Sequence, residues 1–251
     1  MTDITPTTTT WSLNAQEVIY QAYRKLGFIS SGNAMTPDQL NQGIINLNLL
    51  LKDWEMLGMN LWRQVTITVN VSAGAGVQGN PIQVQPIVTN MTAAYWQITP
   101  PPQLYTRPMN ILAYDEYWQL PNKQLATSQP SNIMFDRNNT LADNPEYSNF
   151  YLYPTLSAPG VLYITVQRSV LDVLAGNYIL DIPIWAQQAL VWNLAAMLAN
   201  DEGAAEMSPA TVQTITAMAQ AEMQKMLDFD RPAFVDIRPA RLRGAAGRIY
   251  R

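Results

Sequence analysis

The spacing of apolar residues changes twice along the chain, from a helical period to alternation and back, and this bounds the folds open to it. A first helix is expected over residues 12–26. Asn14 and Glu17 have capping-box spacing, Ile19, Ala22 and Leu26 share one face, and Gly27 stands at the C-terminal cap. The second is marked most strongly: Thr36 caps, Pro37 takes the first helical position and Gln39 completes the box. Leu40, Ile44, Leu47, Leu51 and Trp54 then recur at alternating steps of four and three, and Gly58 ends the run. A third helix is expected over 183–200. Trp185, Ala189, Trp192 and Ala196 mark one side, with Leu190, Leu194, Met197 and Leu198 on the others, so it should be packed on several sides. The fourth opens at Ser208-Pro209, and Val212, Ile215, Ala219, Met223 and Met226 form a stripe read as core.

From Arg63 to about residue 180 the period is 2. Val65, Ile67, Val69 and Val71 alternate with Thr66, Thr68 and Asn70, as in a half-buried strand. Gly74, Gly76 and Gly79-Asn80 supply turn chemistry before a short run at 82–84. Further strands are expected at 95–99, 109–114, 132–135, 150–153, 161–168 and 178–180. Their Pro, Gly and Asn punctuation suggests antiparallel pairing. The expected class is therefore α+β: a helical bundle formed by helices from both chain ends, with an inserted antiparallel β region and an extended C-terminal arm. The boundaries fall at 1–60, 61–181, 182–230 and 231–251, and no internal repeat is present.

The chain is apolar in 48% of its residues and charged in only 14%, about half the usual charged share. Too little charge for a solvated monomer and too much apolar content for disorder point to a large subunit interface. There is no cysteine and no histidine. That excludes disulfides, thiolate nucleophiles and sulfur-ligated zinc, and removes the commonest general base and nitrogen ligand. What remains are close carboxylates: Asp115-Glu116, Asp201-Glu202, and Asp228 with Asp230. Adjacent acids are ordinary on surfaces and at helix ends. No nucleophile elbow, phosphate-binding loop or dinucleotide fingerprint occurs, and Gly74-Ala75-Gly76 leads into a strand rather than a helix. The expectation is a protein that is not an enzyme, with no catalytic residue, cofactor or metal. A hydrolase working through a carboxylate pair is the alternative from another class. Residues 1–10 do not form a signal peptide. Residues 64–106 and 182–200 carry no charge, but both are too polar to span a membrane.

The net charge of −4 hides a division. Residues 1–230 hold nine of the 15 basic and 18 of the 19 acidic residues, giving −9. Residues 231–251 hold Arg231, Arg238, Arg241, Arg243, Arg248 and Arg251 against Asp236 alone, giving +5. Arginine presents a flat fork of donors that matches carboxylates bidentately, which suits a protein groove. Pro232, Pro239, Gly244 and Gly247 oppose a long helix, while Phe234, Ile237, Leu242, Ile249 and Tyr250 offer apolar anchors. Such a segment is expected to order on a partner. A frayed terminus and contact with nucleic acid are the competing readings, the second opposed by an acidic body that repels phosphate. Asp228 and Asp230, where a helix dipole disfavours them, are candidates for a neighbour's arm. Alternation in Phe150-Tyr151-Leu152-Tyr153 would put Tyr151 and Tyr153 together on one sheet face, as subunit-interface candidates or as ordinary strand residues.

One ordered set of segments resembles a known family. Arg107-Pro108 is followed by Leu120-Pro121-Asn122-Lys123, Gln129-Pro130-Ser131 and Phe150-Tyr151-Leu152-Tyr153-Pro154. Next come the strand from Leu162 to Arg168, Ile182-Pro183-Ile184-Trp185 and the run from Ala189 to Ala195. Across about residues 12–228 the set resembles the tail accessory factors, or head-to-tail adaptors, of short-tailed bacteriophages. The resemblance implies a structural virion protein at the head–tail junction, assembled in the host cytoplasm. Subunits of that family form a ring, typically of twelve, beneath the portal protein. The ring extends the DNA channel, helps retain the packaged genome and offers a platform to later tail proteins. Implied partners are the portal, copies of the chain itself, downstream tail proteins, and DNA that passes without sequence-specific binding. In some members a C-terminal extension reaches along the portal, which the Arg-rich arm matches in position and character.

Overall fold

The computed structural model describes residues 12–30, 32–57, 62–97, 106–137, 147–201 and 207–230. The arm, with Arg231, Phe234, Ile237, Arg238, Arg241, Leu242, Arg243, Arg248, Tyr250 and Arg251, lies outside the described residues, as do Gly58 and Glu202. The chain is a mixed α+β structure. Helices α1 (Ala15–Leu26) and α2 (Pro37–Met56) precede strands β1 (Gln64–Val71), β2 (Ile82–Val84), β3 (Val88–Gln97), β4 (Thr106–Pro108) and β5 (Asn110–Leu112). A short helix α3 (Tyr114–Gln119) follows, then β6 (Ala126–Thr127), β7 (Asn132–Asp136), β8 (Ser148–Tyr153), β9 (Thr155–Leu156) and β10 (Gly160–Arg168). A 3-10 turn at Ile184–Ala186 leads into α4 (Gln187–Asp201), and α5 (Pro209–Asp230) completes the described chain.

The helix termini obey their capping chemistry. Asn14 and Glu17 exchange backbone bonds in a capping box, as do Thr36 and Gln39. Gly27 closes α1 in the left-handed region at φ 80°, which a side chain rarely adopts. Val18, Ile19, Ala22 and Tyr23 of α1 are buried, as are Leu47, Leu50, Leu51 and Trp54 of α2. They share one core with Leu190, Leu194 and Leu198 of α4 and Ile215 and Met226 of α5. Val170, Val173 and Leu180 also enter this core, so the segment after β10 packs with the helices.

Two four-stranded sheets, ordered β1-β10-β3-β4 and β2-β8-β7-β5, and a two-stranded sheet β6-β9 follow. The two four-stranded sheets close on a second core that includes Trp96, Ile133, Phe150, Leu152, Leu162 and Ile164. Most pairs are antiparallel, but β5 pairs β7 and β6 pairs β9 in parallel, which the punctuation did not announce. The strand expected at 109–114 stops at Leu112 because Glu116 caps a helical turn: its carboxylate accepts from the Ala113 N–H at 2.9 Å. The strand expected at 178–180 does not form; Ile179 makes only an isolated bridge to Asn14.

Candidate interaction surface

A polar seam joins the helices to the first sheet. Arg63, just ahead of β1, is only 2% exposed. Its Nε donates to the Arg168 carbonyl at 2.8 Å and Nη1 to the Glu55 carbonyl at 3.1 Å, while Nη2 donates to Thr89 Oγ1 at 2.6 Å and reaches the Glu55 carboxylate at 3.4 Å. Burial, with the charge of Arg168 nearby, holds the Arg63 guanidinium below its ordinary pKa, and the charges of Glu55 and Asp230 offset this only in part. The other Glu55 oxygen accepts from Ser169 Oγ at 3.0 Å. Arg168 forks onto Asp181, with Nη2 to Oδ1 at 2.6 Å.

This seam pins the segment after β10 along α2. Asn48 brackets Val173, donating to its carbonyl and accepting from its N–H, both at 2.8 Å. Lys52 donates to the Val170 carbonyl and pairs with Asp172, both at 2.9 Å. With residues 170–173 held by backbone, Leu171 and Leu174 point outward and are exposed. Beside them on α2, Ile45, Leu49 and Met56 are also exposed, Met56 by 85%. They recur at helical spacing on the side of α2 opposite Leu47, Leu50 and Trp54. The helix is thus apolar on two sides, one buried in the core and one open. The signal lay in the sequence as a second set of apolar residues at steps of four and seven, masked by the stronger stripe of the first.

Next to the seam, where Trp62 precedes Arg63, α5 and the turn before α4 enclose a groove of about 220 Å³. Trp185, Ala189, Met226 and Phe229 line it, with Glu222 and Lys225 on its rim. Trp185 stacks at a tilt on Phe229, ring centres 4.7 Å apart, and meets Trp62 edge-on at 5.8 Å. Phe229 is 61% exposed. A larger cavity of about 530 Å³ between β3, β5 and β7 is lined by Met91, Ile111, Tyr114, Phe135 and Arg137.

The sequence candidates are dispersed. Tyr151 and Tyr153 do share the sheet face opposite Phe150 and Leu152. That face is covered, however: Tyr151 is only 7% exposed and packs on Tyr117 and Trp118 of α3. Tyr151 is therefore corrected from an interface candidate to a core residue. Tyr153 donates its hydroxyl to the Pro121 carbonyl at 3.1 Å. Burial, with Tyr151 beside it, pushes the Tyr117 hydroxyl up to about 12. Asp228 accepts from Gln224 Nε2 at 3.0 Å, and Asp230 acts on Arg63 of its own chain. Glu116 serves as the α3 cap, Asp115 is exposed beside it, and Asp201 ends α4. Among the described residues no cluster of three metal-ligating side chains occurs, and no helix is long and apolar enough to cross a membrane.

No protein-family model matches the chain, and no curated protein matches its sequence.

Proposed function

We propose that this chain is a structural subunit that associates side by side with copies of itself into a ring, as a head-to-tail adaptor beneath a phage portal. In this reading the helices from both chain ends form a bundle that makes the ring wall. The Arg-rich arm provides each subunit with a second attachment, to the portal. The carrying observation is the open apolar face of Ile45, Leu49, Met56, Leu171 and Leu174. Beside it, Lys52 pairs with Asp172 and with Glu55 of the same chain. Burying one such aliphatic side chain is worth about 1.5–3 kcal/mol, so five on one face supply a strong drive to associate. Asp53 is exposed on the same side of α2, beside the Lys52–Asp172 pair, so the face is apolar with an acidic edge. A body at −9 repels the phosphate backbone, which favours a channel wall along which DNA slides.

The test is the double variant Leu49→Lys with Leu174→Lys, studied with and without purified portal. Both positions are exposed, so the melting temperature is expected to stay within a degree or two of the parent. Sedimentation velocity should show the parent joining the portal as a ring and the variant failing to do so. A second variant lacking residues 231–251 should keep the fold and lose stable attachment. Rings that form normally from the Lys variant would overturn the assigned face.

A further inference from the structure

We infer that the groove between α4 and α5 is the resting dock of the chain's own Arg-rich arm, occupied before any partner is met. The idea adds to the adaptor reading and does not depend on it. Three observations converge. The first is position. Phe229 lines the groove and residue 231 begins the arm, so the 21 residues of the arm start at the groove's edge. An extended chain covers about 3.3–3.6 Å per residue, so Phe234 and Ile237 are within reach of Trp185 and Met226.

The second observation is chemical match. The groove offers an aromatic floor of Trp185 and Phe229, with Ala189 and Met226, and room for one large apolar side chain. The arm supplies apolar residues between arginines: Phe234, Ile237 and Leu242. The third is charge. The last turn of α5 has no basic residue, and the rim's Lys225 is paired with Glu222 at 2.6 Å. The dipole end therefore favours incoming cations, and the paired Lys225 does not oppose them. Asp228 and Asp230, already engaged with Gln224 and Arg63, add negative field. The arm brings +5 to a body at −9. Arginine also stacks on aromatic faces, which Trp185 and Phe229 present.

Tethering decides between the chain's own arm and that of a second copy. A segment joined by a short link meets its groove at an effective concentration near millimolar, far above the concentration of free subunits. The own arm therefore wins in the isolated chain. The consequence is a store: the apolar anchors are covered until a partner with more contacts draws the arm away.

The absence of cysteine makes the test clean, because any disulfide must come from introduced residues. In the full chain, Lys225→Cys on the groove rim is combined with Ile237→Cys in the arm. The control combines Gln224→Cys with Ile237→Cys, a tether of nearly equal length on a face turned by one helical step. Under mild oxidation without portal, the groove pair should form an intramolecular disulfide at least about tenfold faster than the control pair. The product should run as a compact monomer on a non-reducing gel, at a rate independent of protein concentration. Equal rates for the two pairs would overturn the dock. Disulfides formed only between chains would overturn the own-arm assignment. Because the portal is absent, failure here leaves the ring reading standing, and failure of the Leu49→Lys test leaves the dock standing.

Discussion

Replacing Arg63 by alanine is expected to cost about 3–5 kcal/mol of stability, the range for removing one partner of a buried charge network. The side chain is 2% exposed and donates to two backbone carbonyls, Thr89 Oγ1 and the Glu55 carboxylate. Without it, Glu55 keeps Lys52 at 3.8 Å as its charge partner, and the carbonyls of Glu55 and Arg168 lose a donor inside the seam. Arg63→Lys should recover only part of the loss, since an ammonium keeps the charge but not the planar fork that spans acceptors on α2, β3 and β10. Urea denaturation of the three proteins measures the ordering directly. A loss below about 1 kcal/mol for Arg63→Ala would mean that the seam is dispensable. The seam also holds residues 170–173 against α2, so, if the chain assembles through the proposed face, the same variant should lose that assembly at temperatures where it is still folded.

Gly160→Ala is expected to cost about 1–3 kcal/mol or somewhat more, as overpacking. Gly160 opens β10 opposite Val71, and a Cβ there would run into the indole of Trp96 on the neighbouring strand β3. Trp96 is 1% exposed and enclosed by the second core, so its ring has nowhere to move. The requirement is one of space, since Gly160 carries no left-handed φ. Trp96→Phe removes the overlapping atoms. Alone it should destabilise by leaving a cavity, and combined with Gly160→Ala it should be less harmful than the two single losses added. A strictly additive double variant in thermal melts would refute the contact.

Much of the local structure was legible because it rests on interactions within a few residues. The Asn14/Glu17 and Thr36/Gln39 boxes, the Gly27 cap and the alternation of β1 each need neighbours three or four positions away at most. The errors have the same origin in reverse. The parallel pairing of β5 with β7 depends on partners 22 residues apart, and nothing in either strand encodes its direction. Tyr151 had the right face but the wrong surroundings, because α3 arrives from more than 30 residues upstream to cover it.

The amino-acid sequence by itself determined the α+β class, the capping boxes of α1 and α2, the charge reversal between body and arm, and the lack of thiol and imidazole chemistry. Those are properties of composition and short-range spacing. The buried stripe of α2 was legible too; only the tertiary structure decided that its second apolar side stays open, since nothing local says whether another element covers it. Leu47, Leu51 and Trp54 won the core because α1 and α4 meet them there. The seam of Asn48, Lys52, Glu55 and Arg63 then left Ile45, Leu49 and Met56 to face outward.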